Sequence, residues 1–203
     1  MIGVVALIVA AYLIGAIPTS YIVARLARGI DLRQHGSGNL GATNAYRVLG
    51  WKAALPIFIV DIAKGWFPAA FFAAWDGQAA AEWALAYGTA AIIGHVFSVY
   101  VGLRGGKGVA TSGGVLLALA PLAMLSAFGL WAIVVAVTGY VSLASILAAI
   151  LVPIVIAVRH GPTPLLWLTL GLAVFVVWAH RANIRRLIAG REHRFGRRAK
   201  EAR

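Results

Sequence analysis

Cysteine is absent from the 203 residues, and acids are scarce: three aspartates and three glutamates stand against 18 lysines and arginines. Without a thiol there is no disulfide, no thiolate nucleophile, no thioester intermediate and no cysteine-ligated zinc. The redox compartment is therefore not legible in the chain. Six scattered carboxylates offer no cluster for Mg²⁺. There is no HExxH helix for a catalytic zinc. Ser37 lacks a nucleophile elbow, because His35 occupies the position that needs glycine. Kinase, metal-hydrolase and serine-hydrolase chemistry all read poorly.

What the chain has in excess is apolar surface. Hydrophobic residues make up 62% and charged residues 12%, whereas a soluble domain has about 45–50% and about 25%. Lipid is the expected solvent. The first apolar segment is too long for a secretory signal, and lacks its basic start and small-residue cleavage site. The spacing predicts an all-α polytopic membrane protein with about seven spans, at 2–24, 52–75, 82–101, 108–120, 121–139, 141–158 and 163–180. Segment 108–120 is short and rich in small residues; as a half-helix, or merged with its neighbour, it lowers the count to five or six. Pro121 argues for a break, since it cannot donate a helical hydrogen bond. Period-2 barrel patterning is absent. No repeat of 20–50 residues stands out, and no soluble domain fits between the spans, so residues 1–203 read as one membrane domain.

The net charge is +12, and nine basic residues fall at 181–203, a tail that carries +7 after Glu192 and Glu201. Such a tail beside an apolar span suits an anionic cytoplasmic leaflet. Nucleic acid is the rival partner, but no basic–aromatic interleaving or DNA-binding motif accompanies the charge. With the N-terminus outside, the inner loops and the tail collect 16 of the 18 basic residues. The positive-inside rule therefore places the C-terminus in the cytoplasm, together with the loops around 36–47, 102–114 and 140–145.

Two of those loops are glycine-rich and polar. GLRGGKGVATSGG at 102–114 carries Arg104 and Lys107 and precedes a helix expected to begin near Gly108. Uncovered backbone amides, a helix N-terminus and an ammonium together suit a phosphate. It is not an ATP-binding P-loop, because Val101 and Gly108 stand where glycine and Ser/Thr are required. GSGNLGATNAYR at 36–47 supplies Ser37, Asn39, Thr43 and Asn44 as donors and Arg47 as a planar fork. The plain alternatives are a flexible linker with positive-inside charge, and Thr43 or Asn44 capping the next helix.

Within the spans, Asp61 and Lys64 are three apart and share a helical face. Either alone at the bilayer centre costs at least about 2.5–3.5 kcal/mol. They either neutralise each other facing the bundle or border a polar pocket. His180 and Asn183 share a face at the inner end of the last span, and His95 lies mid-span. A satisfied structural histidine is as plausible there as a catalytic one. The His-x₄-Asp pair of a common acyltransferase site is absent: Leu40, Tyr100, Leu165, Arg185 and Arg198 occupy the positions five after the histidines.

The sequence resembles the bacterial membrane acyl-phosphate:glycerol-3-phosphate acyltransferases, the PlsY family. The resemblance runs through IGAIPTSYIVAR at 14–25, GSGNLGATNAYR, DIAKG at 61–65, GHVFSVYVGLRGGKGVAT at 94–111, VSLAS at 141–145 and HRANIRRLIAGRE at 180–192. Where members often carry Phe before the GGKG turn, this chain has Leu103-Arg104. The resemblance implies a seven-span inner-membrane enzyme whose site faces the cytoplasm. It implies acyl phosphate and glycerol 3-phosphate as substrates in phospholipid synthesis, with no cofactor, no metal and no obligate protein partner. Carried onto this chain, Gly105, Gly106, Lys107 and Gly108, with Ser37, Gly38, Asn39, Thr43 and Asn44, hold the acyl-phosphate head. Arg47, Lys107, Ser142, His180 and Asn183 hold glycerol 3-phosphate, with Lys107, His180, Asn183 and Arg47 as the catalytic set. Asp61 and Lys64 support the pocket wall. The proton acceptor is open among His95, His180, Asp61 and the substrate's own phosphate. A transporter or channel for a phosphorylated small molecule is the alternative of a different class.

Overall fold

The computed structural model describes residues 2–77 and 81–196, so part of the expected basic tail, 197–203, lies outside the described residues. All regular structure in it is helical, in ten α-helices and two short 3₁₀ turns. The chain divides into two compact units, Met1–Pro121 and Leu122–Arg203.

The first unit holds α1 (Ile2–Ala16), α2 (Thr19–Arg28), α3 (Ala42–Leu49), α4 (Trp51–Trp75), α5 (Ala81–Val96) and α6 (Val109–Leu119). The first expected span is not one straight helix. Pro18 offers no N–H and keeps Ile17 out of the α region, so α1 stops and α2 restarts two residues later. Two carbonyls that the break releases are taken up by side chains from elsewhere in the unit. Ser98 Oγ donates to Ala16 O at 2.5 Å and Lys64 Nζ to Ile17 O at 2.9 Å. Ala16 O takes its hydrogen bond from Ser98, whereas Ile17 O also accepts from Thr19 N at 3.0 Å; a carbonyl left without a donor is costly in an apolar setting. The helix α2 ends at Gly29, whose left-handed backbone returns its N–H to Arg25 O at 2.9 Å.

At 25 residues α4 is roughly 37 Å long, more than the ~30 Å hydrocarbon core. It packs closely on α6. Glycine permits that approach: a Cβ at Gly65 would overlap Thr111 O, and one at Gly114 would overlap Ile62 O. Small residues at helix contacts are the usual route to close packing in lipid, where dispersion rather than water release holds helices together. The helix α1 packs on α5, and α2 and α3 lie against α4. One core cluster joins Ala24, Leu32, Leu40, Ala45, Ile57 and Val101. A second, around Ala11, Phe72, Tyr87 and Ala90, closes the other end, where the Tyr87 hydroxyl meets the Asp76 carboxylate.

The second unit holds α7 (Pro121–Thr138), α8 (Val141–His160), α9 (Pro164–Ala179) and α10 (Arg181–Ile188). As expected, Pro121 separates α6 from α7; it sits at the start of α7, where a missing N–H leaves no intrahelical bond unmade. The helices α8 and α9 pack together, and α10 touches both.

Among the described residues, five stretches are long and apolar enough to cross a membrane: Gly3–Arg28, Trp51–Trp75, Ala81–Val101, Pro121–Thr138 and Val141–His160. The pair α9–α10, bent by 56°, makes a sixth when taken together, and α6 is a shorter apolar helix. The seven expected segments fall on these helices in position, with five, or six counting the bent pair, long and apolar enough to span. Their outward faces carry large apolar side chains such as Val137, Val158 and Val174, all more than 70% exposed. That is a lipid-facing surface, which a soluble fold of this composition would bury.

Candidate active site

The loop before α3 is built around one amide. Asn44, 2% exposed, donates through Nδ2 to His35 O at 3.0 Å and Leu32 O at 3.4 Å, and accepts from Ser37 N at 2.8 Å. The α3 N-cap is Gly41, with no side-chain cap bond, so neither Thr43 nor Asn44 caps the helix. Asn44 shapes the turn that presents Ser37, Gly38 and Asn39. Gly36 is obligatory there, with φ +62° and a would-be Cβ overlapping the Asn44 side-chain oxygen. Asn44→Ala takes from Ser37 N the acceptor it uses and removes one donor each from His35 O and Leu32 O, which still accept from Gly38 N at 3.1 Å and His35 N at 3.3 Å; a buried amide left without its acceptor costs about 1–3 kcal/mol. The expected result is cleavage by added protease within 32–41 under conditions where the wild-type loop resists, read by mass spectrometry.

The second loop returns against the end of α5. Gly105 N donates to Val96 O at 2.9 Å and Gly106 N to His95 O at 3.1 Å. Those two amides are therefore turned toward the helix behind them, a correction to the expectation that glycine leaves them uncovered. What Gly105 and Gly106 offer is closeness: a Cβ on either would overlap His95. Lys107 follows, half-buried. Gly108, at φ +78°, is the N-cap of α6, whose first-turn amides have no intrahelical carbonyl. Thr111, fully buried, instead faces Gly65 on α4.

Both loops share a foundation. Arg33 forks onto Asp31 through Nε and Nη2 at 2.7–3.2 Å and donates through Nη1 to Val101 O at 3.2 Å. Leu40 and Val101 meet in the same core cluster. Arg33 thus ties the segment that leads into the serine/asparagine turn to the segment that leads into the lysine turn, within the first unit. The Arg33 guanidinium holds the Asp31 carboxyl down to about 2, outweighing its partial burial. A depressed carboxyl stabilises the fold above its unfolded value near 4 and loses that contribution as pH falls toward 2. An acid scan of the melting temperature in detergent should show this slope, and Asp31→Asn should flatten it.

Asp61, Lys64 and His95 are 2%, 5% and 6% exposed. Lys64 Nζ lies 2.8 Å from Asp61 Oδ1, an ion pair rather than an aligned hydrogen bond, and His95 Nδ1 lies 3.8 Å from the same oxygen. His95 lies within the Ala81–Val101 span, as expected, in the last turn of α5 beside the returning loop. Arg47 lies half-buried on α3.

The second unit has a polar cluster of its own. Glu192 accepts from Ser142 Oγ at 3.0 Å and Asn183 Nδ2 at 2.7 Å through Oε1, and from Arg186 Nε at 2.7 Å through Oε2. Burial alone would raise its carboxyl, but the bonds from Asn183, Arg186 and Ser142 outweigh that and hold it below the ordinary carboxylate range. His180, at the α9–α10 bend, donates from Nδ1 to Val176 O at 2.7 Å. In the neutral ring Nε2 is then the unprotonated nitrogen.

The sequence profile of the glycerol-3-phosphate acyltransferases matches residues 5–190. The chain belongs to that family. It is 43% identical to the glycerol-3-phosphate acyltransferase of Chlorobaculum tepidum, over 97% of this chain and 99% of that one. With the enzyme of the same description from Synechococcus sp. (strain JA-2-3B'a(2-13)) the identity is 47%, over 91% of each. Among solved structures it is similar to PlsY (YgiH), an integral membrane glycerol 3-phosphate acyltransferase. The glycerol 3-phosphate form of PlsY superposes with a TM-score of 0.88 at 39% identity, over 95% of this chain and 96% of that one. A second form, with lysophosphatidic acid, gives 0.85 at 38%, over 95% of each. The all-helical membrane fold expected from the sequence is thus the fold of its family.

Within this acyltransferase fold, sequence reasoning missed two residues that organise polar clusters, one in each unit. Arg33 counted only as inner-loop charge, and its tie to Val101 spans 68 residues, which no local pattern signals. Glu192 counted only against the tail's charge. Its signal was there: a lone carboxylate among arginines, nine residues after Asn183.

Proposed function

We propose that the protein transfers a fatty acyl group from an acyl phosphate to the 1-hydroxyl of sn-glycerol 3-phosphate, giving lysophosphatidic acid and inorganic phosphate in phospholipid synthesis. The observation that carries this reading is that the segments leading into two glycine-rich, cation-bearing turns are joined by Arg33 and share one core cluster with Leu40 and Val101. Both substrates carry phosphate and one carries a fatty chain, which suits such turns in a lipid-facing fold. The glycerol 3-phosphate and lysophosphatidic acid forms of the related PlsY support the acceptor and the product.

The donor is the finer step, and chemistry supports it. An acyl phosphate is a mixed anhydride, already activated. The glycerol 1-hydroxyl attacks its carbonyl carbon, the carbon–oxygen bond to phosphate breaks, and phosphate leaves with the electron pair. No covalent enzyme intermediate is needed, which fits a chain without cysteine or a serine elbow. Catalysis rests on positioning and on neutralising charge at the leaving phosphate and the carbonyl oxygen. Lys107, Gly108 and the first turn of α6, with Ser37, Gly38, Asn39 and Thr43, hold the acyl-phosphate head. Arg47, Lys107, Ser142, His180 and Asn183 hold glycerol 3-phosphate, roles that the family resemblance assigns. Of the four proton acceptors, Asp61 is paired with Lys64 and His95 is packed under Gly106. That favours His180 Nε2 or the substrate phosphate.

The site faces the cytoplasm in this reading, with the N-terminus outside. Impermeant thiol labels on single cysteines placed at 38 and 104 test it; opposite faces for the two positions end it. Purified protein with acyl phosphate and glycerol 3-phosphate in detergent tests the reaction. Phosphate release that depends on the acceptor supports acyl transfer, whereas a transporter releases none.

A further inference from the structure

Acyl transfer by positioning leaves three buried ionisable side chains without a task. Asp61, Lys64 and His95 lie behind the lysine turn, with Lys64 against Asp61 and the His95 ring facing the same carboxylate oxygen from beyond hydrogen-bond reach. Lys64 Nζ donates to Ile17 O, at the Pro18 break in the first span, at 2.9 Å. It stands 2.8 Å from Asp61 Oδ1, and that oxygen stands 3.8 Å from His95 Nδ1. On its other side, His95 carries the turn. Its carbonyl accepts from Gly106 N at 3.1 Å, and its ring nitrogen Nε2 fills the space where a Gly106 side chain would stand.

We propose that His95 is a positioning residue for the lysine turn, and that the Asp61–Lys64 pair fixes it. In this arrangement the imidazole is the seat on which Gly106 rests, and the height of that seat sets where Lys107 projects. Lys64 ties the broken end of α1 to α4 through Ile17 O, and the Asp61 carboxylate of the same pair faces the His95 ring. A buried pair of charges is weak evidence for stability by itself, since an apolar pair packs as well. Registration of two elements against each other is the better-attested use of such a pair. Gly106 and His95 are also mutually dependent: the loop has no room for a side chain because the ring is there, and the ring has no room to move because the loop is there.

That dependence gives the test. Gly106→Ala places a methyl group inside the ring volume, and His95→Ala empties that volume. For a positioning role, Gly106→Ala weakens glycerol 3-phosphate binding and phosphate release about a hundredfold. His95→Ala raises KM for glycerol 3-phosphate tenfold or more, with a smaller change in kcat and an unchanged pH profile. The double variant then performs within about threefold of His95→Ala, because the methyl no longer meets anything. His95→Asn, whose amide ends short of the Nε2 position, runs the same swap while keeping a polar group beside Asp61, should the alanine variant be unstable in detergent. Losses that multiply in the double variants overturn the proposal. So does a His95→Asn enzyme with normal KM, low kcat and a missing limb in its pH profile, which is the signature of a proton acceptor. The proposal rests on the acyltransferase reading only for what the turn grips, so radiolabelled glycerol 3-phosphate binding is measured beside phosphate release. Wild-type protein that binds glycerol 3-phosphate but releases no phosphate sinks the acyl-phosphate reading, and the swap is still decided by binding.

Discussion

Lys107→Ala is expected to release phosphate from acyl phosphate at about a hundredth of the wild-type rate or less. A single preorganised group that meets developing negative charge is typically worth a factor of 10²–10³ in kcat. Lys107 has the placement for this. It is half-buried between the braced Gly105–Gly106 pair and the N-cap of α6, so the backbone that carries it is fixed before substrate arrives. The partial positive charge of the helix N-terminus adds to the ammonium at the same spot. Lys107→Arg discriminates among explanations. A guanidinium keeps the charge but is broader, and the Gly108 turn leaves little room, so partial recovery of about tenfold over the alanine variant is expected. Steady-state phosphate release at saturating acceptor is the measurement. An alanine variant within a few-fold of wild type would remove Lys107 from the chemistry and leave the turn a structural feature.

Much of this arrangement was readable before any coordinates. Helices follow from runs of about 20 apolar residues, because a bilayer admits few other solutions. The two loops stood out because glycine, hydroxyl and amide side chains in so greasy a chain need a reason. What could not be read is where hydrogen bonds go once residues distant in sequence are adjacent. Asn44 looked like a ligand donor and instead holds its own loop, since an asparagine amide satisfies backbone groups as readily as a substrate. Gly105 and Gly106 looked like a source of bare amides, and the carbonyls at the end of α5 take them. Pro18 was in plain view, but a proline in an apolar run permits a kink or a break. Which one forms depends on whether donors such as Ser98 and Lys64 are there for the released carbonyls.

Glu192→Ala should be the most damaging single change in the second unit. The carboxylate side chain is 1% exposed and accepts three hydrogen bonds, one of them from a guanidinium. Its removal leaves the Ser142 hydroxyl, the Asn183 amide and the Arg186 charge each short of that partner. Hydrogen bonds to charged groups are worth about 1.5–3 kcal/mol each; with Arg186 partly exposed, a loss on the order of 3 kcal/mol is expected. That is a large share of typical stability, so a marked fall in melting temperature in detergent follows. Glu192→Gln should fall between the two. Its amide oxygen still accepts from Ser142 and Asn183, but its NH₂ meets the Arg186 Nε–H donor to donor. The pH dependence has a definite sign. A carboxyl held below its ordinary range stabilises the fold above that range and loses its contribution as pH falls through the depressed value. Wild-type melting temperature should therefore drop on acidification below about pH 4 more steeply than that of Glu192→Gln, which has no proton to bind there. Equal slopes in the two proteins would mean that the charge of Glu192 contributes nothing and only its shape is used.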